Sequence, residues 1–199
     1  MAGRIVILNG APRAGKSSIA AAVMARLPGR WINLGVDEMR RRTPEHEQPG
    51  IGLRPGGERP DLEPAVQRLY RELYGDIARN ARAGFDVVVD VGHHDWYSRP
   101  LGILPAVARQ LEGLPVLFVG VLCPVEVIMA RRNAAPEGYV AGPGVPEPVA
   151  RWQQAVHEPG IYDLEVDSSV LTSEQAAEAI AGALADPPRP SAFEELALK

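Results

Sequence analysis

The stretch IVILNGAPRAGKSS, residues 5–18, carries the strongest structural signal in the chain. It opens on four apolar residues, typical of a short buried strand, and continues into a turn rich in glycine. The turn has the pattern G-x-x-x-x-G-K-[ST], with Gly10, Gly15 and the pair Lys16-Ser17 at the defining positions. Apolar residues at helical spacing follow it. A strand, this loop and a helix in that order predict a phosphate-binding loop.

The chemistry of phosphate binding explains the residue types in this loop. Glycines let backbone N–H groups approach an anion closely, and the helix that begins near Lys16 directs its positive end at the same place. Lys16 can reach the β- and γ-phosphates of a nucleotide, and the Ser17 hydroxyl can ligate Mg²⁺. Arg13 either stacks on the nucleotide or lies in solvent, since both uses suit arginine. The residues expected to bind ATP are Gly10, Ala11, Pro12, Arg13, Ala14, Gly15, Lys16, Ser17 and Ser18.

Strand and helix patterns alternate along the rest of the chain. Apolar and β-branched runs predict strands at Ile5–Leu8, Trp31–Leu34, Phe85–Val89, Val116–Leu122 and Ile161–Val166. The third and fourth runs have the continuous apolar character of strands that are buried on both faces. The sequence therefore predicts an α/β fold with a parallel five-stranded sheet.

The composition limits the classes of function. The 199 residues, of which 46% are hydrophobic, suffice for one domain with a core. A net charge of −4 and a pI near 5.6 argue against nucleic acid and membranes as partners, since both need a basic face. Cys123 is the single cysteine, which excludes an internal disulfide and favours a reducing compartment. The N-terminal apolar run is too short for a signal peptide, so we expect a cytoplasmic protein.

Two segments rich in proline and glycine interrupt the alternation of strands and helices. Residues 38–64 are interpreted as an insertion on the acceptor side or a mobile loop, and residues 131–151 as a mobile lid. We expect a single domain over residues 1–185. The Pro-rich tail, residues 186–199, is expected to be a surface appendage.

Two aspartates follow predicted strands, whose carboxyl ends line the ligand crevice of a parallel sheet. Asp90 closes the run Phe85–Val89 and is expected to hold Mg²⁺, directly or through water, although a turn aspartate is the alternative. Asp37 follows the strand that begins at Trp31. It can accept the proton of an attacking hydroxyl or cap a helix beginning at Glu38, and position alone does not separate these roles.

Three arginines border the predicted lid. Arg131 and Arg132 precede its Pro/Gly-rich part and Arg151 follows it. Arginines there can stabilise a transferring phosphoryl group, and solvated charges are the alternative. We expect a function for at least one of them, with Arg131 first.

The histidines carry a weaker signal. His93 and His94 follow Asp90 closely, but neighbouring side chains of an extended chain point to opposite sides and make a poor metal pair. A loop histidine is favoured over a substrate contact for this pair. His157 is interpreted as a packing or capping residue.

Short elements along the chain form a further pattern. The two most specific are Gly35-Val36-Asp37 and Tyr162-Asp163-Leu164-Glu165-Val166-Asp167. The others are Ile7-Leu8-Asn9-Gly10, Val88-Val89-Asp90, Val119-Gly120-Val121 with Cys123, Arg131, Val140-Ala141-Gly142 and Val156-His157-Glu158. Together they resemble the chloramphenicol phosphotransferase-like family, over about residues 4–185.

This resemblance implies a P-loop NTPase fold of the kinase type, with three layers, a parallel sheet and a mobile lid. It implies ATP with Mg²⁺ as cofactors and phosphorylation of a hydroxyl on a small molecule, chloramphenicol or a related antibiotic. It implies Asp37 as the general base, which favours catalysis over capping there. The expected catalytic residues are therefore Asp37, Lys16 and Arg131, and the expected metal ligands are Ser17 and Asp90.

The sequence departs from the family pattern at two places. The family lid carries an Arg-x-x-x-Arg-x-x-Arg pattern, of which only Arg131 is present, so Arg132 or Arg151 is a candidate replacement. Val91 stands where the family often has a second acid, which predicts a changed acceptor pocket. A family member that binds ATP without turnover is therefore an alternative, and so is a regulatory nucleotide-binding module. The GTPase elements N-K-x-D and D-x-x-G are absent. No oligomeric state is indicated.

Overall fold

The computed structural model describes residues 2–134 and 144–199. The middle of the predicted lid, with the element Val140-Ala141-Gly142, lies outside the described residues.

Five strands form a single parallel sheet at the centre of the molecule, which confirms the predicted α/β fold. The strands are Ile5–Asn9 (β1), Trp31–Asn33 (β2), Asp86–Val91 (β3), Val116–Leu122 (β4) and Leu164–Asp167 (β5). Their order is β2-β3-β1-β4-β5, and every neighbouring pair is parallel. The order reverses direction at β1, so the loop after β1 lies at the switch point where such sheets bind ligands.

Eight α-helices surround the sheet in the described part of the chain. They are Lys16–Arg26 (α1), Val36–Arg42 (α2), Glu63–Arg82 (α3), Ile103–Gln110 (α4), Val125–Ala134 (α5), Glu147–Ala155 (α6), Ser173–Ala185 (α7) and Ala192–Ala197 (α8). Helices α1 and α7 contact each other, as do α4 and α8. Within residues 2–134 and 144–199 no helix is both long and apolar enough to cross a bilayer.

The sheet separates two apolar clusters, and alternation along the strands assigns each residue to one of them. In β1, Ile5 and Ile7 join the cluster under α3, α4 and α8, whereas Val6 and Leu8 join the one under α1 and α7. All four side chains are fully buried. Burial on both faces explains why the strands are continuous apolar runs. The result is a three-layer sandwich of helices, sheet and helices, with the phosphate-binding loop at the carboxyl ends of the strands.

The C-terminal residues 186–199 differ from the expected surface appendage. Phe193 and Leu196 of α8 are 4% and 1% exposed and join the cluster on the α3 side of the sheet. The Asp163 carboxylate accepts hydrogen bonds from the backbone N–H groups of Ala192 and Phe118, each at 2.7 Å. Apolar burial and these bonds fix the helix against β4, because an exposed Phe and Leu would forfeit the free energy of leaving water.

The segment 38–64, expected to be an insertion or a mobile loop, is folded, and we call it the insertion. After α2 it forms three short 3₁₀ turns, Glu45–Glu47, Gly50–Leu53 and Pro60–Leu62. The Leu53 carbonyl is 3.0 Å from Nε2 of His94, and the Gly56 N–H donates to the Trp96 carbonyl at 2.7 Å. The Glu63 carboxylate accepts from the N–H and hydroxyl of Ser98. The insertion is therefore packed on the loop that follows β3.

Candidate active site

The phosphate-binding loop has the backbone geometry that the motif predicts. Gly15 has a φ of 93°, which is left-handed, and it directly precedes helix α1. A Cβ at Gly10 would lie 2.6 Å from the Val121 carbonyl oxygen, so only glycine fits against β4. Arg13 also has a positive φ, of 67°. The backbone thus curls tightly between β1 and α1, leaving N–H groups at the helix N-terminus available to an anion.

Lys16 lies inside this curl. Its ammonium group donates hydrogen bonds to the carbonyl oxygens of Gly10 at 2.8 Å and Ala11 at 2.9 Å. Burial lowers the pKa of Lys16 to about 8, because the charged form loses hydration, and the carboxylates of Asp90 and Asp37 oppose that shift. An anion bound next to Lys16 would stabilise the charged ammonium group, which burial has deprived of its hydration.

Ser17 and Asp90 are brought together, although 73 positions separate them in sequence. The Ser17 hydroxyl donates to a carboxylate oxygen of Asp90 at 2.7 Å. Asp90 lies inside β3, paired with Leu8, rather than just after the strand as the sequence suggested. Its other oxygen points at Gly35, where a Cβ would be 1.8 Å away, so any side chain at Gly35 would displace this carboxylate.

A cavity of about 1130 Å³ joins these residues. On the β2–β3 side its walls are mainly apolar and aromatic, with one carboxylate. We call this the acceptor half, after the role expected of Asp37; it comprises Val36, Asp37, Leu53, Tyr70, Val91, Gly92 and Trp152. On the β5 side the walls include several hydroxyl groups; we call this the nucleotide half, comprising Ile19, Arg131, Ser168, Leu171, Thr172, Ser173 and Glu174. The phosphate-binding loop and Asp90 lie between them.

Asp37 is exposed and lines the acceptor half. Capping of a helix that begins at Glu38 is wrong, because α2 begins one residue before Asp37 and the Gly35 carbonyl accepts from the N–H of Glu38 at 3.0 Å. An acid in the first turn is favoured by the positive end of the helix. Asp37 is therefore placed to face a ligand in the cavity.

Arg131 fastens the far side of the phosphate-binding loop. Its guanidinium donates to the carbonyl of Arg13 at 3.3 Å and to the carbonyl of Ser168 at 2.6 Å. The Ser168 hydroxyl in turn donates to the Ala14 carbonyl at 2.6 Å. Arg131 thus reaches the cavity from the nucleotide half while bracing the loop against the segment after β5.

Arg132 and Arg151, the candidate replacements for the absent lid arginines, lie farther from the cavity than Arg131 does, since neither lines it. Arg151 forms ion pairs with Glu58 of the insertion and Glu147 of α6. It is not among the residues that line the cavity, and neither is Arg132. The ion pair with Glu58 joins α6 to the insertion, which gives Arg151 a structural position at the edge of the site.

The two histidines have different partners, and both are buried. His93 is 2.7 Å from the hydroxyl of Tyr74 and stacks on Tyr70, with ring centroids 4.5 Å apart. Burial lowers its pKa to about 3, so it is neutral at physiological pH. His94 accepts from the N–H of Trp96, which assigns the proton of its other ring nitrogen to the bond with Leu53. The structure uses both rings for packing, and His157 likewise bonds the Tyr162 hydroxyl.

Sequence reasoning missed the role of Asn9, which precedes the loop. Its buried amide accepts from the N–H of His93 at 2.6 Å and donates to the carbonyl of Val156 at 2.8 Å and the hydroxyl of Tyr162 at 2.9 Å. One side chain thus ties the ends of β1, β3 and α6 together. A polar residue at the end of an otherwise apolar strand was the available signal. Tyr70 and Trp152, which line the acceptor half, gave none beyond aromatic character.

No cluster of three or more His, Cys, Asp or Glu side chains suited to a metal occurs among the described residues. The hydroxyl of Ser17 and the carboxylate of Asp90 nevertheless form the donor pair that Mg²⁺ uses beside nucleotide phosphates, with water and phosphate oxygens completing its shell. The donor set fits the ion.

Solved structures with the same architecture define the class of protein. The adenylyl sulfate (APS) kinase CysC of Mycobacterium tuberculosis aligns with a TM-score of 0.61 at 18% identity, covering 93% of this chain and 99% of its own. The shikimate kinase of Acinetobacter baumannii gives a TM-score of 0.60 at 12% identity, with 94% and 96% coverage. The tunicamycin resistance protein of Deinococcus radiodurans gives 0.58 at 19%, with 90% and 94% coverage. The fold is that of the P-loop kinases.

A comparison with models of protein families shows the family to which the chain belongs. The model of the family described as chloramphenicol phosphotransferase-like protein matches residues 3–185, and the chain belongs to that family. No protein of curated function matches the chain by sequence. Family and fold together define a phosphotransferase of the kinase class.

Proposed function

We propose that the protein transfers the γ-phosphoryl group of ATP, with Mg²⁺, to a hydroxyl group of a small molecule. The observation that carries this proposal is the convergence of Lys16, the Ser17–Asp90 pair and Asp37 on one cavity. A phosphate loop, a metal pair and a carboxylate facing an apolar half are the parts that phosphoryl transfer to an alcohol needs. Chloramphenicol or a related antibiotic is the first acceptor to test, because the family is named for that activity.

Each residue at the cavity has its own role in the proposed transfer. Loop N–H groups and Lys16 hold the β- and γ-phosphates, and Ser17 and Asp90 hold Mg²⁺, which when bound neutralises charge on the phosphate oxygens. Asp37 accepts the proton of the acceptor hydroxyl as the hydroxyl oxygen bonds to the γ-phosphorus and the bond to ADP breaks. Arg131 adds positive charge from the nucleotide half.

The acceptor half indicates which small molecules fit. Among the described residues that line it, Asp37 is the charged one, and the others are aliphatic, aromatic or glycine. A carboxylate disfavours an anionic acceptor, and apolar walls gain free energy by covering apolar surface. An uncharged or cationic alcohol is therefore expected, in the cytoplasm, where ATP is available.

The test is a panel of alcohols incubated with the protein, ATP and Mg²⁺ and analysed by mass spectrometry. Addition of one phosphate to one acceptor is expected, and Lys16→Ala is expected to abolish it. Asp37→Asn should lower turnover by about 10²- to 10⁴-fold while leaving ATP binding nearly intact. Glu38→Gln, a neutralised acid in the same helical turn that does not line the cavity, is the matched control and should retain turnover.

A binding protein without transfer is the alternative, favoured by the lid arginines absent from the sequence. It would show ATP binding that depends on Lys16 and no phosphorylated product from any alcohol. Full turnover of Asp37→Asn would instead contradict the general-base assignment while leaving the kinase.

A further inference from the structure

Trp152 of α6 lines the acceptor half, and its ring is held in place from two directions. A Cβ added at Gly92 would lie 2.9 Å from Cζ3 of this ring, closer than a real Cβ approaches a neighbour, and 3.0 Å from Cη2, which is tighter than most such contacts. The His94 ring meets it edge-on, at 5.1 Å between centroids and an angle of 85°. The ring therefore occupies space that exists only because residue 92 has no side chain.

The support on the His94 side is itself rigid. His94 is buried, bonds the Leu53 carbonyl at 3.0 Å and packs against Tyr97 with ring centroids 4.3 Å apart. Leu53 lines the same half of the cavity as Trp152. The position of the indole is thus coupled to the insertion and to the strand that carries Asp90.

Trp152 is also the largest apolar side chain that lines the acceptor half, where the remaining apolar residues are Val36, Leu53, Tyr70 and Val91. Aromatic side chains bury the most area for each residue and favour contact with flat apolar groups. The ring is half-buried, so part of its surface is open.

We propose that Trp152 determines acceptor specificity, by providing the surface against which the apolar part of the acceptor packs, and that Gly92 is the positioning residue that seats it. This inference rests on the proposed function, because it concerns the acceptor of that reaction. It assigns a role to two residues that lie outside the loop and the carboxylates.

The first test is a pair of substitutions in two backgrounds. Gly92 has no left-handed φ, so Gly92→Ala strains no backbone and acts through the Trp152 ring. Gly92→Ala should raise the KM for the acceptor about tenfold, because one lost methyl-sized contact in a pocket has an effect of about this size. The KM for ATP should not change. In a Trp152→Phe background, which lacks the two atoms that meet the methyl group, Gly92→Ala should change the acceptor KM by less than about twofold.

Gly182→Ala is the matched control, since a Cβ at this glycine of α7 meets nothing within 4 Å. It should leave both KM values unchanged. Equal effects of Gly92→Ala in the two backgrounds would overturn the inference, because the methyl group would then act without the indole.

The second test needs no turnover. Replacing Trp31 and Trp96 by Phe leaves Trp152 as the single tryptophan of the three in the chain. Its fluorescence is followed while alcohols of the panel, chloramphenicol first, are added in the presence of Mg²⁺ and a non-hydrolysable ATP analogue. A saturable change is expected for the acceptor, and Gly92→Ala should weaken that binding about tenfold.

The two proposals fail differently in these tests. An alcohol that is phosphorylated without affecting Trp152 fluorescence overturns the inference and leaves the kinase. An alcohol that changes the fluorescence saturably but is not phosphorylated supports the acceptor surface and contradicts the transfer. Absence of both responses across the panel contradicts both.

Discussion

The nucleotide-phosphate region and the acceptor half of the cavity are built in opposite ways. Residues 10–18 form one continuous segment, the phosphate-binding loop and the first residues of α1, and the Lys16 ammonium bonds backbone carbonyls within it. The acceptor half is assembled by side chains from α2, the insertion, α3, β3 and α6. Backbone contacts recognise what all nucleotides share, whereas side chains from separate segments can change one at a time. A family can therefore keep its phosphate donor while its acceptor varies.

Among the substitutions that test this comparison, the largest effect is expected where the two regions meet, at Asp90. Gly35→Ala places a Cβ 1.8 Å from a carboxylate oxygen of Asp90, so the carboxylate must move away from Ser17. Turnover should fall about 10²-fold, the usual result of displacing a catalytic group by about 1 Å. The measurement is kcat as a function of Mg²⁺ concentration. The Mg²⁺ concentration that gives half of the maximal rate should also rise, because the displaced carboxylate binds the ion less tightly. Gly75→Ala, whose Cβ would meet only a side chain at 3.3 Å, is the control.

Unchanged Mg²⁺ dependence in Gly35→Ala would contradict the pairing of Ser17 with Asp90 as the metal site. It would also show that the two regions of the cavity are less coupled than their shared carboxylate indicates.

A smaller effect is expected beneath the acceptor half, at Asn9. Asn9→Ala removes the acceptor of the buried His93 N–H and the shorter of the two hydrogen bonds to the Val156 carbonyl, which keeps the Tyr162 hydroxyl at 3.4 Å. The free energy of unfolding should fall by about 2 kcal/mol, and the acceptor KM should rise because α6 carries Trp152. Urea denaturation measures the first and steady-state kinetics the second. Asn80→Ala, which removes one half-buried bond inside α3, should cost less than about 1 kcal/mol.

A rise in the KM for ATP equal to that for the acceptor would show that Asn9 supports both regions equally. The phosphate-binding loop and the acceptor half would then depend on the same support at the base of the cavity.

The smallest effect concerns the phosphate region alone and arises from Lys16. Its pKa of about 8 in the free protein means that it loses its proton as the pH rises through 8, whereas bound phosphates favour the charged form. ATP affinity should therefore fall above pH 8, by up to about tenfold per pH unit, with uptake of a proton on binding. Calorimetry in two buffers of different ionisation enthalpy measures both.

Lys16→Arg provides the comparison for this pH dependence. A guanidinium stays protonated over the whole range, so its weaker binding should be independent of pH between 7 and 9.5. A fall in affinity of the same size in this variant would assign the titration to another group.

The sequence predicted the parts of the site that rest on local patterns. The phosphate-binding loop, the five parallel strands and the placement of Asp37 and Asp90 near the C-terminal ends of strands follow from motif spacing and from apolar runs, which are properties of neighbouring residues. The sequence also named Ser17 and Asp90 separately as expected metal ligands, and the structure brings the two side chains together. The expected tail was wrong in its packing, since Phe193 and Leu196 are buried. Two apolar residues in a proline-rich stretch do not reveal which surface they cover.

The other parts of the site depend on contacts between segments that are distant in sequence. Nothing in the order of residues shows that Gly92 makes room for Trp152, that Asn9 bonds Val156 across 147 positions, or that Arg131 braces the loop through Ser168. Each contact depends on how helices and strands pack, and packing is decided by the summed burial of the whole core rather than by any one segment. The phosphate-binding loop could thus be predicted from the sequence, while the proposed acceptor surface is formed only in the folded chain.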